Sequence, residues 1–240
     1  MKKFLICTVL LLSSLRLYTA GPEKEPFFCT RPGTRLYYER YKAGTTKLTQ
    51  TTLFEIESIE ATAKGREVHY AVTMAKANGS DLYGGRAIQT TLIAPNGDVN
   101  MNFGETVKGF ARNMFSHAKV EVTEAWALLP AIMNPGDTLP ETHCTVTVAG
   151  LHAYFHITDR RVLRRETITT PAGTFDCIVV REHKEEDAPF HHPDNWLDNY
   201  YAPGIGYVRH DKYDKNMRLQ ESEVLIRRED SPATASDGRP

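Results

Sequence analysis

Two histidines and a carboxylate lie close together in the sequence, at His191, His192 and Asp194. Imidazole nitrogens and carboxylate oxygens are ligands for zinc and other divalent metals. Neighbouring side chains on an extended segment point in opposite directions, however, and Pro193 favours a loop. Structural metal sites normally take their ligands from separate, fixed elements, so we interpret this segment as a solvated loop. We predict no metal site and no cofactor.

A second group of polar side chains, His152, Tyr154 and His156, alternates with Ala153, Phe155 and Ile157. The alternation places the three polar residues on one face of a strand. His152 and His156 are then separated by about 13 Å, because a strand rises about 3.3 Å per residue, and this distance is too long to share one ion. The group indicates a wet outer face, with a polar pocket as the alternative.

The sequence contains no recognisable motif for a catalytic nucleophile. The sequence contains no Gly-x-Ser-x-Gly motif, and the glycines at 84 and 85 lack the spacing and the lysine of a phosphate-binding loop. Cys177 shares its strand parity with Phe175 and Val179, which is typical of a core position, whereas a reactive thiolate needs an exposed, electropositive setting. We therefore predict no catalytic residues and a non-enzymatic protein.

Aromatic side chains gather around the Pro203-Gly204 turn: Trp196, Tyr200, Tyr201 and Tyr207. Aromatic groups at the mouth of a barrel can bind an apolar ligand or a partner. They can also fill the end of the barrel, because small barrels are usually packed with side chains. These four are our candidate ligand-binding residues.

The N-terminus has the pattern of an export signal. Basic residues at Lys2 and Lys3 precede an apolar run from Phe4 to Leu15, and Thr19-Ala20-Gly21 supplies small residues for cleavage. The apolar run is shorter than the roughly 20 residues that a transmembrane helix needs. We predict a signal peptide over residues 1–21 and an exported protein, periplasmic or extracellular, that does not span the membrane.

Net charge and cysteine content narrow the possible partners. Removing Lys2, Lys3 and Arg16 with the leader lowers the basic count from 29 to 26 against 30 acidic residues, a net charge of −4. Nothing in this balance attracts nucleic acid or an anionic membrane. Of the 4 cysteines, those at 29, 144 and 177 remain after the leader. They allow at most one intramolecular disulfide, and we interpret them as buried hydrophobic residues.

Alternating apolar residues indicate antiparallel strands. Val68, Tyr70, Val72 and Met74 alternate with smaller or polar residues, as expected for a strand with one buried face. Strands of a parallel sheet would be apolar throughout. The same alternation recurs in segments near residues 54, 90, 125 and 155.

Turn residues punctuate these strands. Pro-Gly pairs at Pro32, Pro135 and Pro203 suit type II turns, because Pro presets one φ and Gly accepts the positive φ that follows. A parity change in the last strand predicts a bulge near Gln220 to Glu223. Helical spacing supports one short helix within Gly104 to Ala118. We predict a single antiparallel β domain over residues 22–229 and a disordered tail over 230–240.

The segments Thr170-Pro-Ala-Gly-Thr-Phe-Asp-Cys177 and Tyr200-Tyr-Ala-Pro-Gly-Ile-Gly-Tyr-Val208 resemble the TapB-like exported bacterial proteins of undetermined function. The segments Pro32–Tyr38 and Asn134–Pro140 resemble the same family. The resemblance implies an all-β fold: a strongly curved antiparallel sheet, forming a partly open β-barrel or half-barrel with one short helix. It is broadly like the fold of periplasmic lipoprotein carriers. The resemblance implies no activity.

Together these patterns predict an exported envelope protein that binds an apolar or amphipathic ligand, such as a lipid, in its curved sheet. One alternative is a protein–protein interaction module of the envelope, presenting sheet edges or the aromatic mouth to a partner protein. The other is a metal-dependent hydrolase using His191, His192 and Asp194, with His152 or His156.

Overall fold

The structure of the chain is a computed structural model that describes residues 25–188 and 192–231. One antiparallel sheet of 13 strands forms most of it. The predicted leader, His191 and tail residues 232–240 lie outside the described residues. The strands are β1 (Arg35–Lys42), β2 (Leu48–Thr62), β3 (Gly65–Lys76), β4 (Asp81–Ile93), β5 (Val99–Asn102), β6 (Val120–Val122), β7 (Trp126–Leu129), β8 (Thr142–Val148), β9 (Leu151–Thr170), β10 (Gly173–Asp187), β11 (Asp194–Ala202), β12 (Gly206–Asp214) and β13 (Leu219–Glu229).

The order of strands across the sheet is β6-β8-β9-β10-β11-β12-β13-β1-β2-β3-β4-β5-β7. The first and last strands therefore pair at the middle, while β6 and β7 form the two edges. The sheet is strongly curved but does not close into a barrel. The two ends of the sheet approach each other: Thr142 Oγ1 of β8, the strand next to β6, donates a hydrogen bond to the carbonyl oxygen of Trp126 in β7 at 3.1 Å. The predicted half-barrel is confirmed.

One helix, α1 (Phe103–Met114), lies beside the opening between the edges. It contacts β4 on one side and β6 and β8 on the other. The Asn102 side chain caps its start by accepting a hydrogen bond from the Glu105 backbone N–H at 3.0 Å. The predicted helix is confirmed, but it ends at Met114 and not at Ala118, because the Phe115 backbone leaves the helical region at φ −124° and ψ 53°.

Bulges help to curve the sheet. Lys212 pairs with Glu221 and Tyr213 with Leu219, so Gln220 is the extra residue of the predicted bulge. Such an insertion bends the strand and increases its local twist. Further register shifts interrupt the pairing of β9 with β10, of β11 with β12 and of β1 with both its neighbours. Curvature of this kind gives the sheet a concave inner face and a convex outer face.

The inner face carries the core, as the alternation predicts. Val68, Tyr70 and Val72 of β3 are all buried. At the turns, Gly33 and Gly204 have φ of +80° and +71°, values that side chains with a Cβ rarely adopt, so the Pro-Gly turn prediction is confirmed. Cys29, Cys144 and Cys177 are buried free thiols, as expected for small hydrophobic residues.

Candidate functional site

The curved sheet encloses a cavity of about 260 Å³, which we call the inner cavity. Most of its lining is aromatic or aliphatic, and the charged groups come from the neighbouring strands β9 and β10. This composition is typical of sites for small apolar ligands. The lining includes Phe27, Phe28, Tyr38, Phe54, Tyr70, Gln89, Thr106, Ala127, Ile157, Arg160, Glu182, Lys184, Leu197, Tyr201 and Tyr207.

Stacked rings form one wall of the inner cavity. The ring of Tyr38 stacks on Tyr207 with centroids 4.7 Å apart, and the ring of Phe54 stacks on Tyr70 at 5.9 Å. The Tyr38 hydroxyl donates a hydrogen bond to the Tyr207 carbonyl oxygen at 2.9 Å. Burial raises the pKa of Tyr70 to about 12. The wall is therefore neutral and apolar at physiological pH.

The segment before β1 closes one end of the cavity. The side chains of Phe27 and Phe28 are buried there, and Phe28 meets Tyr70 edge-on with ring centroids 5.2 Å apart. The Pro26 carbonyl oxygen accepts a hydrogen bond from the Gly204 N–H at 2.7 Å, which ties this segment to the Pro-Gly turn. The barrel end predicted near this turn is thus covered by residues far away in the sequence.

An ion pair and a lysine add charged groups to the lining of the inner cavity. The Arg160 side chain is 1% exposed, lies with its Nε 3.3 Å from Glu182 Oε2, and donates a hydrogen bond to the Pro140 carbonyl oxygen at 2.8 Å. Lys184 also lines the cavity. A buried ion pair is stable only while both partners are present, because each charge has lost its water. The pair is therefore a fixed polar group in the cavity lining.

The four predicted aromatic residues separate onto two faces. Tyr201 and Tyr207 line the inner cavity. Trp196 and Tyr200 lie on the outer face, because Leu197 and Tyr201, their neighbours in β11, point into the cavity. On that outer face, Trp196 stacks on His183 with centroids 4.6 Å apart.

A bulge explains how Tyr207 reaches the cavity. Tyr201 pairs with Tyr207 and Tyr200 with Arg209, so Val208 is the extra residue. Directly paired residues share a face of the sheet. Tyr207 and Arg209 have the same sequence parity, yet the bulge turns them to opposite faces.

Tyr200 belongs to a charged network on the outer face. Asp198 and Asp211 are paired across β11 and β12, and both are buried. Like charges directly opposite each other are destabilising, and here Arg181 and Arg209 each bind one of the carboxylates at 2.7 to 2.9 Å. Burial raises the pKa of Tyr200 to about 12, so its hydroxyl stays protonated. The network therefore stabilises the pairing of β11 with β12.

The histidines at 152, 156 and 192 contact residues that are not their neighbours in the sequence groups. His192 Nδ1 lies 2.8 Å from an Asp187 oxygen, and Asp194 contacts His183 instead. His152 Nδ1 lies 2.9 Å from Thr147 Oγ1, on the neighbouring strand. His156 Nδ1 lies 2.9 Å from a nitrogen of His143. Sequence reasoning missed His143 and His183, because cross-strand register is not encoded in local spacing.

Cys177 does not have the environment of a nucleophile. Burial, followed by the negative charges of Asp176 and Glu166, raises the pKa of its thiol to about 12. A reactive cysteine needs the opposite, a lowered pKa in an electropositive setting. The thiol is therefore protonated at neutral pH.

A larger depression of about 500 Å³ lies elsewhere, between β1, β2 and the end of β13. Its arginines are already paired: Arg35 Nε lies 3.1 Å from Glu55, and Arg86 contacts Glu55 and Glu57. The lining of this depression is also more polar than that of the inner cavity. The inner cavity is the better candidate site.

We expect acid to destabilise the fold through His210. Its Nδ1–H donates to Asn199 Oδ1 at 2.6 Å, and burial, followed by the charges of Arg40, Lys184 and Lys212, lowers its pKa from 6.5 to about 3. Below pH 6.5 the unfolded chain binds a proton that the folded chain binds only near pH 3, so stability is lost as the pH falls. Between pH 7 and 5 the loss is about 2 kcal/mol.

Urea denaturation at both pH values, with His210→Gln as the matched variant, measures this loss. Glutamine keeps a donor for Asn199 and does not titrate, so the variant's stability should depend less on pH over this range. Equal pH dependence of the two proteins would show that His210 is not the group responsible.

A family comparison identifies the chain. The family model of the DUF3108-like proteins matches residues 31–225, which include every strand from β1 to β12 and more than half of β13. The chain belongs to the DUF3108-like family. No curated protein matches it.

Two solved structures are similar to this DUF3108-like chain. One is a candidate lipoprotein from Parabacteroides distasonis, with 24% identity and a TM-score of 0.70 over 87% of this chain and 100% of the other. The other is a candidate exported protein with a YmcC-like fold from Bacteroides fragilis, with 25% identity and a TM-score of 0.67 over 85% and 99% of the two chains. Within residues 25–188 and 192–231, no helix has the length and hydrophobicity needed to cross a bilayer.

Proposed function

We propose that this DUF3108-like chain is an exported envelope protein that binds one apolar or amphipathic group in its inner cavity. The observation that carries the proposal is the aromatic lining with an ion pair at one side, Arg160 with Glu182. Export is supported by the leader pattern at residues 1–21 and by the descriptions of the two similar structures. The TapB-like resemblance agrees with export and stays a prediction.

The cavity size limits the ligand. Small-molecule sites are usually about 300–1,000 Å³, and the inner cavity lies slightly below this range. One short acyl chain or one ring fits such a volume, whereas a complete diacyl lipid does not. We therefore propose a single acyl chain, with its headgroup beside Arg160 and Lys184. In this proposal Tyr201 and Tyr207 contact the acyl chain.

A titration of the mature chain with dodecanoate, below its micelle concentration, tests the proposal. We expect saturation at one dodecanoate per chain, with a Kd of tens of micromolar or tighter by calorimetry. Affinity should fall from dodecanoate to octanoate, because each methylene that leaves water contributes about 0.8 kcal/mol. No heat and no thermal stabilisation at any chain length would refute the proposal.

Binding through sheet edges is less well supported. The edge strands are short: β6 has 3 residues and β7 has 4. Short edges offer few unpaired backbone groups to a partner strand. The α1 helix, which contacts both β6 and β7, limits access further.

A further inference from the structure

Metal-ligating side chains from four neighbouring strands meet on the outer face. His143 of β8 pairs with His156 of β9, His156 with Glu185 of β10, and Glu185 with Asp194 of β11. Directly paired residues have their side chains on one face. That face is the outer one, because Lys184, the neighbour of Glu185, lines the inner cavity.

Glu185 and Asp194 lie close to a further side chain on the same face, that of His183, which is two residues before Glu185 in β10. One atom each from His183, Glu185 and Asp194 lies within 4.8 Å of the other two. His183 Nε2 is 2.7 Å from Asp194 Oδ1. Zinc binds nitrogen and oxygen at about 2.0–2.2 Å, so ligand atoms around one ion are about 3–3.5 Å apart. Small side-chain rotations would convert the observed arrangement into this spacing.

The surroundings favour an ion over a chance contact. The indole of Trp196 stacks on the His183 ring at 4.6 Å and 24°, which holds the imidazole in place. Glu185 has no ion-pair partner among the described side chains, and it stands beside a second carboxylate. The two carboxylates give the group a negative charge when His183 is neutral. A divalent cation would neutralise that charge.

We propose that His183, Glu185 and Asp194 bind one divalent transition-metal ion of the zinc class. One imidazole and two carboxylates form a mixed nitrogen and oxygen ligand set, which suits zinc, cobalt or manganese better than soft ions that prefer sulfur. Asp194 and Glu185 are exposed, so water completes the coordination. The site lies on the outer face and is independent of ligand binding in the inner cavity.

Trp196 provides the readout. The chain has 2 tryptophans, at 126 and 196, so Trp126→Phe leaves Trp196 as the single reporter. The untagged variant, dialysed against chelator, is titrated with Co²⁺, which quenches nearby indole fluorescence. We expect saturable quenching at one ion per chain, reversed by Zn²⁺. His183→Ala and Asp194→Asn should each weaken binding at least tenfold.

Matched variants separate this site from its neighbours. His152→Ala removes another exposed histidine of the outer face and should leave Co²⁺ affinity unchanged, with circular dichroism confirming the fold of each variant. If His183→Ala unfolds the chain, Glu185→Gln replaces it, because its side chain is exposed. Unsaturable quenching would overturn the proposal. So would loss of binding in His143→Ala or His192→Ala while His183→Ala binds normally.

Discussion

We expect Arg160→Met to lower the free energy of unfolding by about 3–5 kcal/mol, because it leaves a buried carboxylate without its cation. Arg160 is 1% exposed and Glu182 9% exposed, so bulk water compensates little for the lost partner. The substitution also removes the hydrogen bond to the Pro140 carbonyl oxygen. Equilibrium denaturation in urea gives the change directly.

A second variant identifies the cause. In Arg160→Met with Glu182→Leu both charges are replaced by apolar groups of similar size, and we expect most of the lost stability to return. Lys119→Met serves as the control, since Lys119 and its partner Glu121 are exposed and their pair should contribute nothing measurable. A double variant as unstable as Arg160→Met would show that the unpaired carboxylate is not the cause.

The other large effect concerns ligand binding. Ala127 lies in β7, is buried and lines the inner cavity. In Ala127→Phe the added ring occupies space that the proposed acyl chain needs, so dodecanoate affinity should fall at least tenfold. Adding bulk to a packed region costs about 1–3 kcal/mol of stability, so a thermal melt must accompany the titration.

Control substitutions decide which face binds. Trp196→Phe and Tyr200→Phe alter outer-face aromatic residues and should leave dodecanoate affinity unchanged. Leu197→Phe is a second cavity-filling variant, from a different strand, if Ala127→Phe does not fold. Undiminished affinity in both cavity variants, or weaker binding in the outer-face variants alone, would exclude the inner cavity as the site.

The sequence predicts the architecture of this chain because local rules determine it. Proline fixes φ at the first central position of a type II turn, and glycine adopts the positive φ at the second. Turns such as Pro203-Gly204 are therefore recognisable from the sequence. Alternation at Val68, Tyr70 and Val72 identifies the buried face of β3 in the same way. A parity change likewise predicts a bulge near Gln220 to Glu223, and the structure has it at Gln220.

The site depends on contacts that local rules do not determine. Arg160 and Glu182 meet only because β9 and β10 pair in one register, and that register shifts within the hairpin. The same holds for His183 and Asp194, which are brought together by the pairing of β10 with β11.

Sequence parity alone assigns only some of the four candidate aromatic residues to the correct face of the sheet. Tyr200 and Tyr201 are consecutive in β11, so alternation alone places them on opposite faces. The position of Tyr207 could not be predicted, because the bulge at Val208 reverses the face on which it lies. A curved sheet multiplies such exceptions, since each bulge that bends it also changes the alternation.

Native mass spectrometry of the mature chain, purified without detergent from the cells that produce it, tests the central claim most directly. If the inner cavity binds an acyl group, part of the protein should carry one additional apolar mass that organic extraction removes, and Ala127→Phe should lack it. Only the unmodified chain mass for the natural protein, together with no dodecanoate binding, would contradict the account.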